Sequence, residues 1–314
     1  MLEADGLRKH WGPVHALNGF SLSIDAGEIC GLMGHNGAGK TTFARICAGL
    51  ERPDAGRVWV DGHAVDAEPE QARSRLGLAP QEIALYPTVT LRQNLSFFGG
   101  LAGMRGATLR REIDEIVEAV ALTEALDRTV DGLSGGQQRR AQAATTLLSR
   151  PSVLLLDEPT VGADPVTRQA LLDLVLTRAR EGATICYTTH YLPELEVLDA
   201  TLAVAQAGRV IARGGRRELL AGLPSRVVLG FAAPPPAELA ARAVAVTDEG
   251  ELQFSTDRPA QLLATLLAGL GPDAALVTAA EIREPNLDDL YQHLTGAAAK
   301  PSGEEHFEET GHGV

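Results

Sequence analysis

Residues 34–41, with the sequence Gly-His-Asn-Gly-Ala-Gly-Lys-Thr, constrain the fold of this chain more than any other segment. Two glycines separated by four residues and followed by lysine and a hydroxyl residue match the pattern of a phosphate-binding loop. The loop follows a strand-like apolar segment at residues 28–33. A glycine-rich turn before a core helix is the alternative, but it does not explain the lysine and hydroxyl at fixed offsets. The segment therefore predicts a strand, a loop and a helix of an α/β fold, with a phosphate site between them.

Each residue type in this loop has its own chemical use. Glycine at positions 34, 37 and 39 leaves backbone N–H groups free to converge on phosphate oxygens, because no Cβ blocks their approach. Lys40 can reach the β- and γ-phosphates as a point charge, and the hydroxyl of Thr41 can bind Mg²⁺. The predicted phosphate-binding residues are Gly34, Asn36, Gly37, Ala38, Gly39, Lys40, Thr41 and Thr42.

A second segment places two acids at the end of a strand. The apolar run at residues 153–156 has the composition of a strand buried on both faces of a parallel sheet, and it ends in Asp157 and Glu158. In phosphate-loop enzymes an aspartate at this place holds Mg²⁺, and Glu158 would stand beside the attacking water. Adjacent acids at a strand end are otherwise the start of a solvated loop, and the pattern alone leaves that alternative open.

Two single residues give weaker signals. His190 follows an apolar strand at residues 183–189, where it could touch a γ-phosphate. A lone histidine at a strand end is more often packed or capped, so only the neighbouring motifs favour the functional role. Gln81 follows a proline and, taken alone, is a polar loop residue.

The motifs occur in a fixed order: Trp11, the loop at residues 34–41, Gln81, the pentapeptide Leu-Ser-Gly-Gly-Gln at residues 133–137, Asp157 with Glu158, Asp164 and His190. In this order the chain resembles the ATPases of ATP-binding cassette (ABC) transporters, over about residues 1–225. Few other phosphate-loop families carry the pentapeptide. Residues 283–296 also resemble the last helix of cassettes in the drug, antibiotic and polysaccharide export group. The resemblance implies an ATPase that uses ATP and Mg²⁺ to power transport.

The resemblance implies roles for individual residues. Trp11 would stack on the adenine ring, unless it is a strand aromatic in the core. Gln81 would sense Mg²⁺ and link the site to a membrane partner. Glu158 would be the general base, Lys40 the phosphate clamp, and His190 a contact to the γ-phosphate.

The resemblance also implies that the pentapeptide serves a second copy of the chain. Two cassettes would pack head to tail, so that Ser134, Gly135 and Gly136 of one copy contact the γ-phosphate held by the other. The resemblance also places Gln137 and Asp164 among the residues that contact the nucleotide. ATP would join the two copies, and hydrolysis would let them part.

Composition excludes several classes of protein. The net charge is −13 with 28 Lys and Arg residues and no long basic cluster, which argues against a nucleic-acid-binding face. The three cysteines lie in apolar segments and are predicted to be reduced core residues of a cytosolic protein. The sequence shows neither a signal segment nor a run of about 18 apolar residues. Association with the cytoplasmic face of a membrane would therefore come through separately encoded transmembrane permease subunits.

The chain is predicted to form two domains and a tail. Residues 1–224 would be an α/β phosphate-loop NTPase core of the ABC ATPase type, with parallel strands near residues 29, 76, 153 and 184. This core would carry an antiparallel β layer and a helical insert at about residues 88–150. Residues 225–296 show the order βαββαβ of a small α+β ferredoxin-like domain. Residues 297–314 are acidic and predicted to be disordered.

Other functions compete with a homodimeric exporter ATPase. A soluble cassette protein acting on ribosomes or DNA would need tandem cassettes or long heptad arms, and the sequence shows neither. The pentapeptide speaks against a phosphate-loop kinase. The pair Glu158 and His190 disfavours a nucleotide-binding scaffold without turnover. An importer cassette stays open, since only the C-terminal resemblance to exporters argues against it.

Overall fold

The computed structural model describes residues 1–80, 82–247 and 249–295. The chain divides into two compact units, Met1–Gly222 and Leu223–Val314, of which the second is described up to residue 295. Gln81 and the tail predicted at residues 297–314 lie outside the described residues.

The first unit is built on two sheets. Its strands are β1 Leu2–Trp11, β2 Val14–Ile24, β3 Ile29–Met33, β4 Ala55–Val60, β5 His63–Ala64, β6 Leu76–Ala79, β7 Val153–Asp157, β8 Thr184–Thr188, β9 Thr201–Gln206 and β10 Arg209–Gly214. One sheet has the order β2-β1-β4-β5 and is antiparallel, as predicted for the N-terminal β layer. The other has the order β10-β9-β3-β8-β7-β6.

The second of these sheets is the parallel core. Strands β9, β3, β8, β7 and β6 pair in parallel, and β10 pairs antiparallel with β9 at one edge. Strands β3, β7 and β8 are buried along their whole length, as expected of parallel strands covered on both faces. The predicted α/β fold class is confirmed, and so are the strands near residues 29, 76, 153 and 184. Strands β9 and β10 were not predicted.

Helices cover this sheet and form the segment between β6 and β7. They are α1 Lys40–Cys47, α2 Pro69–Arg75, α3 Leu91–Leu101, α4 Gly106–Ala119, α5 Gly135–Leu148, α6 Pro165–Arg180, α7 Pro193–Val197 and α8 Arg216–Leu220. Short 3-10 turns at Thr123–Ala125 and Val130–Gly132 lie between α4 and α5. Helix α4 ends at Ala119, and Ala121, two residues later, has a left-handed backbone with φ of 51°.

Apolar packing ties the two sheets of the first unit together through α1. Phe20 of β2 stacks on Phe43 of α1, with ring centroids 4.8 Å apart. All three cysteines are buried, as predicted, and Cys30 of β3 lies opposite Cys186 of β8. Phe43 of α1 lies in one buried apolar cluster with Phe20 of β2 and Leu32 of β3, which packs this helix against both sheets.

The second unit has the predicted βαββαβ order. Its elements are β11 Ser225–Phe231, α9 Ala237–Ala240, β12 Ala245–Val246, β13 Leu252–Thr256, α10 Pro259–Gly269, a 3-10 turn at Gly271–Leu276, β14 Val277–Arg283 and α11 Leu287–Thr295. The strands form an antiparallel sheet in the order β12-β13-β11-β14. The first and third strands of the unit are neighbours in this order, which is the split arrangement of ferredoxin-like domains. Asn286 caps α11 by accepting a hydrogen bond from the Asp289 N–H at 3.0 Å.

The parallel core positions the candidate site of the first unit. Strands β3, β7 and β8 end at one edge of the sheet, and the phosphate loop, Glu158 and the turn with His190 follow directly after them. Among the described residues, no helix has both the length and the apolar character needed to cross a bilayer.

Candidate nucleotide site

A cleft of about 310 Å³ opens beside the phosphate loop. Its walls come from β2, from the loop and first turn of α1, and from the acids at the end of β7. The lining residues are Val14, Ala16, His35, Asn36, Gly37, Ala38, Gly39, Lys40, Thr41, Thr42, Asp157 and Glu158. The fold thus brings most of the predicted loop residues together with both predicted acids, which are more than a hundred positions away along the chain.

Backbone crowding accounts for two of the loop glycines. Gly39 has φ of 104°, and a Cβ on it would lie 2.7 Å from the carbonyl oxygen of Ala16. A Cβ on Gly34 would lie 2.7 Å from the carbonyl oxygen of Ala205. Space is open around Gly37, but its φ of 84° favours glycine all the same. The loop therefore depends on glycine for packing as well as for access to its N–H groups.

Lys40 begins α1 and reaches back across the loop. Its Nζ donates hydrogen bonds to the carbonyl oxygens of Gly34 and His35, the second across 3.3 Å. Burial lowers the pKa of Lys40, while the charges of Asp157 and Glu158 act in the opposite direction. The ammonium is thus held inside the cleft by carbonyl groups, where phosphate oxygens would be stronger partners because they carry charge.

Asp157 is held by the neighbouring strand. It lies opposite Thr188 in the pairing of β7 with β8, and its Oδ1 accepts a hydrogen bond from Thr188 Oγ1. A carboxylate offers about four lone-pair positions, so this bond leaves acceptor capacity towards the cleft. The sheet register therefore sets the direction of the acid predicted to bind Mg²⁺.

Glu158 leaves the strand in a left-handed turn. Its φ is 51°, which is uncommon for a residue other than glycine, and its N–H donates to the Thr188 carbonyl across 3.1 Å. The turn brings Glu158 Oε1 to 2.7 Å from His190 Nε2. A carboxylate oxygen can only accept, so this contact is a hydrogen bond when His190 carries a proton on Nε2. Backbone outliers of this kind cluster at functional sites.

The donor set around Asp157 suits Mg²⁺. Thr41 and Asp157 line the same cleft and offer a hydroxyl and a carboxylate. Mg²⁺ keeps several waters and is commonly held by one or two carboxylates together with substrate phosphates. Within the described part of the chain, no group of three or more His, Cys, Asp and Glu residues could hold a metal ion. A site completed by the substrate is the arrangement that fits these residues.

The pentapeptide at residues 133–137 does not line the cleft but begins α5. Ser134 Oγ accepts a hydrogen bond from the Gln137 N–H at 3.3 Å, and Gln137 Oε1 accepts one from the Ser134 N–H at 3.0 Å. This reciprocal capping box gives both residues a role within the chain. Ser134 and Gly135 are exposed, so this helix N-terminus faces outward.

Gly136 packs on the loop that follows Glu158. A Cβ on Gly136 would lie 2.6 Å from the carbonyl oxygen of Gly162. The loop ends at Asp164, which caps α6 by accepting bonds from the Thr167 N–H at 3.0 Å and from its Oγ1 at 2.8 Å. Both hydrogen bonds hold the pKa of Asp164 below its usual range, and the bond from the Thr167 N–H has the larger effect. Asp164 and Gly136 therefore have local structural roles in addition to the predicted contact with nucleotide.

Gly136→Ala is expected to lower the free energy of unfolding by about 1–3 kcal/mol, because the added methyl group would overpack against Gly162. Gly135→Ala is the matched control, since nothing lies within 4 Å of the position its Cβ would take. Its stability should be unchanged or rise by up to about 1 kcal/mol, because alanine favours the helix. Thermal unfolding followed by circular dichroism measures both. Equal melting temperatures would show that Gly162 does not restrict position 136.

Trp11 lies at the end of β1, where the hairpin turns into β2. Trp11 is 48% exposed, which rules out the alternative that it is a core aromatic. Lys9 Nζ lies 4.6 Å from the ring centroid, and Trp11 is outside the lining of the cleft. Gln81, which the resemblance implies as a sensor of Mg²⁺, lies outside the described residues.

Several residues of the site were not predicted, and of these His35 lies within the phosphate loop itself. Thr188 contacts both Asp157 and Glu158, and Val14, Ala16 and His35 line the cleft. Thr188 could have been found, because ends of neighbouring parallel strands meet at one edge of a sheet. The local sequence around Val14 and Ala16 gives no sign that these residues line the cleft.

Comparisons with known proteins agree with this geometry. A family model described as ABC transporter matches residues 17–161. The chain is 33% identical over 306 residues to the linearmycin resistance ATP-binding protein LnrL of Bacillus subtilis (strain 168), covering 94% of this chain and 98% of the relative. It is 36% identical over 301 residues to Nod factor export ATP-binding protein I of Ralstonia nicotianae, covering 94% of each.

A solved structure shares the fold of most of the chain. It is a dimeric ATP-binding cassette in a post-hydrolysis state bound to ADP and phosphate, with a TM-score of 0.63 and 25% identity. The match covers 68% of this chain and 98% of the solved chain.

Proposed function

The chain belongs to the family of ABC transporter ATPases, and from this premise we propose that it is the ATP-hydrolysing subunit of an exporter, acting as a homodimer on separate transmembrane subunits. The observation that carries the proposal is the meeting of Lys40, Asp157, Glu158 and His190 at one edge of the parallel sheet. The relatives named for antibiotic resistance and Nod factor export match along both units of the chain, which favours export.

The loop and Lys40 bind the triphosphate. Residues 35–39 line the cleft at the start of α1, whose dipole favours an anion there. Lys40 would exchange its two carbonyl partners for phosphate oxygens. Mg²⁺ held by Thr41, Asp157 and Gln81 would neutralise charge on the β- and γ-phosphates. Trp11 would stack on adenine.

Hydrolysis breaks the bond between the γ-phosphorus and the oxygen that bridges to the β-phosphate. A water oxygen forms the new bond to phosphorus, Glu158 takes the proton from that water, and ADP leaves with the electron pair of the broken bond. His190, whose Nε2 lies 2.7 Å from Glu158 Oε1, would hold a γ-phosphate oxygen through an Nε2–H. Lys40 offsets the charge on the phosphates throughout.

A second copy completes the site. Ser134 and Gly135 stand exposed at the N-terminus of α5, outside the cleft of their own chain. In a head-to-tail dimer this N-terminus would meet the γ-phosphate bound by the partner, where its N–H groups and dipole suit an anion. ATP would then hold the dimer closed, and loss of the γ-phosphate would weaken it.

An apolar surface on α3 and on the loop before it suits a membrane subunit. This surface, the apolar patch, consists of Ile83, Tyr86, Phe97 and Leu101, all of which are exposed. Tyr86 packs edge-on against Phe97, with centroids 5.4 Å apart. Contiguous apolar side chains at a protein surface mark interaction sites. The patch includes residues of α3 and of the loop after Gln81, so a partner bound here would act on both.

Leu101→Glu is expected to weaken co-purification of the transmembrane subunit from detergent-solubilised host membranes by about tenfold or more, because a charge would be buried in the interface. Basal ATP hydrolysis should not change. Leu50→Glu is the control, since Leu50 is 61% exposed and Leu101 71%, but Leu50 is not in the apolar patch. If a transmembrane polypeptide is never recovered, or is recovered equally with both variants, the proposed membrane interface is wrong.

A further inference from the structure

A buried carboxylate lies next to the catalytic loops without reaching the cleft. Glu194 of α7 is only 1% exposed. Its Oε1 accepts a hydrogen bond from Thr160 Oγ1 at 2.6 Å, and its Oε2 accepts one from the Tyr187 hydroxyl at 2.9 Å. Burial, together with the charge of Glu194, raises the pKa of Tyr187 well above its usual value, so this hydroxyl stays protonated and donates.

Arg168 supplies the opposite charge. Its Nε lies 3.3 Å from Glu194 Oε1. The same guanidinium donates to the carbonyl oxygen of Ala163 across 3.4 Å, and its Cζ lies 4.8 Å from the centroid of the Tyr191 ring. One side chain of α6 thus contacts the loop after Glu158 and the residue after His190.

These contacts join the two segments that carry the reacting groups. Thr160 and Ala163 belong to the loop that begins at Glu158, and Tyr191 follows His190 directly. The Tyr191 N–H donates to Thr189 Oγ1 at 3.0 Å, which fixes the turn around His190. Glu194 and Arg168 therefore contact both loops outside the cleft. The side chains of Glu158 and His190, which these loops carry, lie 2.7 Å apart.

The charge of Glu194 matters because this carboxylate is shielded from water, while the side chain of its partner Arg168 is 30% exposed. A carboxylate with so little exposure requires a positive partner, and removing either partner leaves the other uncompensated. A hydrogen-bonded ion pair has one favourable geometry, whereas apolar side chains of the same volume can pack in several ways. The pair therefore restricts the positions of the two loops more than apolar packing would. Sub-ångström placement of a general base matters for rate far more than for substrate affinity.

We propose that Glu194 and Arg168 are positioning residues for hydrolysis, which set the placement of Glu158 and His190 while leaving ATP binding to the phosphate loop. This inference rests on the proposed function, since it assumes that Glu158 is the general base. Neither residue lines the cleft. Their effect should therefore appear in kcat and not in KM.

The first test is Glu194→Gln, which keeps a side chain of the same shape but removes the charge opposite Arg168. The kcat should fall by about tenfold or more, with KM and the Kd for a fluorescent ATP analogue within about twofold of the parent chain. Glu196→Gln is the matched control: Glu196 lies on the same helix but pairs with Arg216 at 2.8 Å on the surface. Equal kcat values for both variants would overturn the proposal.

A surface variant covers the case in which Glu194→Gln does not fold. Tyr191 is 53% exposed, so Tyr191→Ala removes the ring under Arg168 without opening the core. It should lower kcat by several-fold at unchanged KM, and Tyr191→Phe should restore the parent rate because the ring is kept. A Tyr191→Ala chain with the parent kcat would also overturn the proposal.

A double-mutant cycle separates positioning from a general loss of structure. Because the contribution through Glu158 is already lost, adding Glu194→Gln to Glu158→Gln should lower the residual single-turnover rate by less than it lowers the rate of the parent chain, with the remaining effect arising through His190. A further loss as large as in the parent background would assign Glu194 a role independent of Glu158. If Glu158→Gln alone leaves the rate unchanged, the assignment of the base fails, which is a different result from failure of the positioning role.

Discussion

Glu158→Gln is expected to slow ATP hydrolysis by at least about two orders of magnitude, which corresponds to about 2.7 kcal/mol in the activation barrier. Glutamine keeps the shape and the left-handed turn of Glu158, but it cannot take a proton from water. Affinity for ATP should be retained, because Lys40 and the loop are unchanged. The variant should therefore accumulate as an ATP-bound dimer, which size-exclusion chromatography with light scattering would detect.

The contact between Glu158 and His190 offers a control for this variant. His190→Gln removes the imidazole while Glu158 stays in place, so its turnover should fall for a different reason, the loss of a contact to the γ-phosphate. If the steady-state rate of Glu158→Gln under saturating MgATP stays within about threefold of the parent rate, less than about 0.7 kcal/mol, Glu158 is not the base.

The sequence predicted the parts of the fold that local pattern determines. The run at residues 153–156 is apolar at every position, and it became the fully buried strand β7. The glycine spacing of the loop located both the end of β3 and the start of α1. The order of elements in the second unit followed from the alternation of short strands and helices.

Other features depend on contacts between distant segments. Strands β9 and β10 were missed because residues 201–214 carry no motif that marks them, and β9 is fixed by pairing with β3, far away in sequence. The network of Arg168 and Glu194 has the same origin: Thr160 and Glu194 are 34 positions apart and meet only because β7 and β8 are neighbours. Periodicity and spacing do not encode such pairs.

Some parts of the candidate site were likewise predictable from local sequence, and others depend on contacts between distant segments. Residues 34–41 lie in one segment, so a single motif predicted most of the cleft lining. The contact of Glu158 with His190 was not predicted, since it requires the register of Asp157 opposite Thr188. The capping box of Ser134 and Gln137 follows from local sequence, but the packing of Gly136 on Gly162 does not.

Ser134→Arg and Lys40→Ala are each expected to abolish steady-state hydrolysis, for reasons that lie in different halves of a composite site. Lys40→Ala removes the cation that offsets phosphate charge, so binding and turnover should fall together. Ser134→Arg should leave ATP binding by the isolated chain intact, because Ser134 does not line its own cleft. The arginine side chain would instead obstruct the γ-phosphate position of the partner. Ser134→Ala controls for loss of the cap, which costs about 1 kcal/mol.

Mixing the two inactive variants tests the shared interface directly. In a mixed dimer, the intact phosphate loop of the Ser134→Arg chain faces the intact pentapeptide of the Lys40→Ala chain, so one working site is restored. The other site carries both defects. With random pairing at equal amounts, half of the dimers are mixed, and activity should reach at most about a quarter of the parent rate, with its maximum at the equimolar ratio. Chains that hydrolyse ATP alone cannot show such rescue. A flat zero line across all ratios, with mixed dimers verified by capture through two different tags, would rule out hydrolysis at a shared interface.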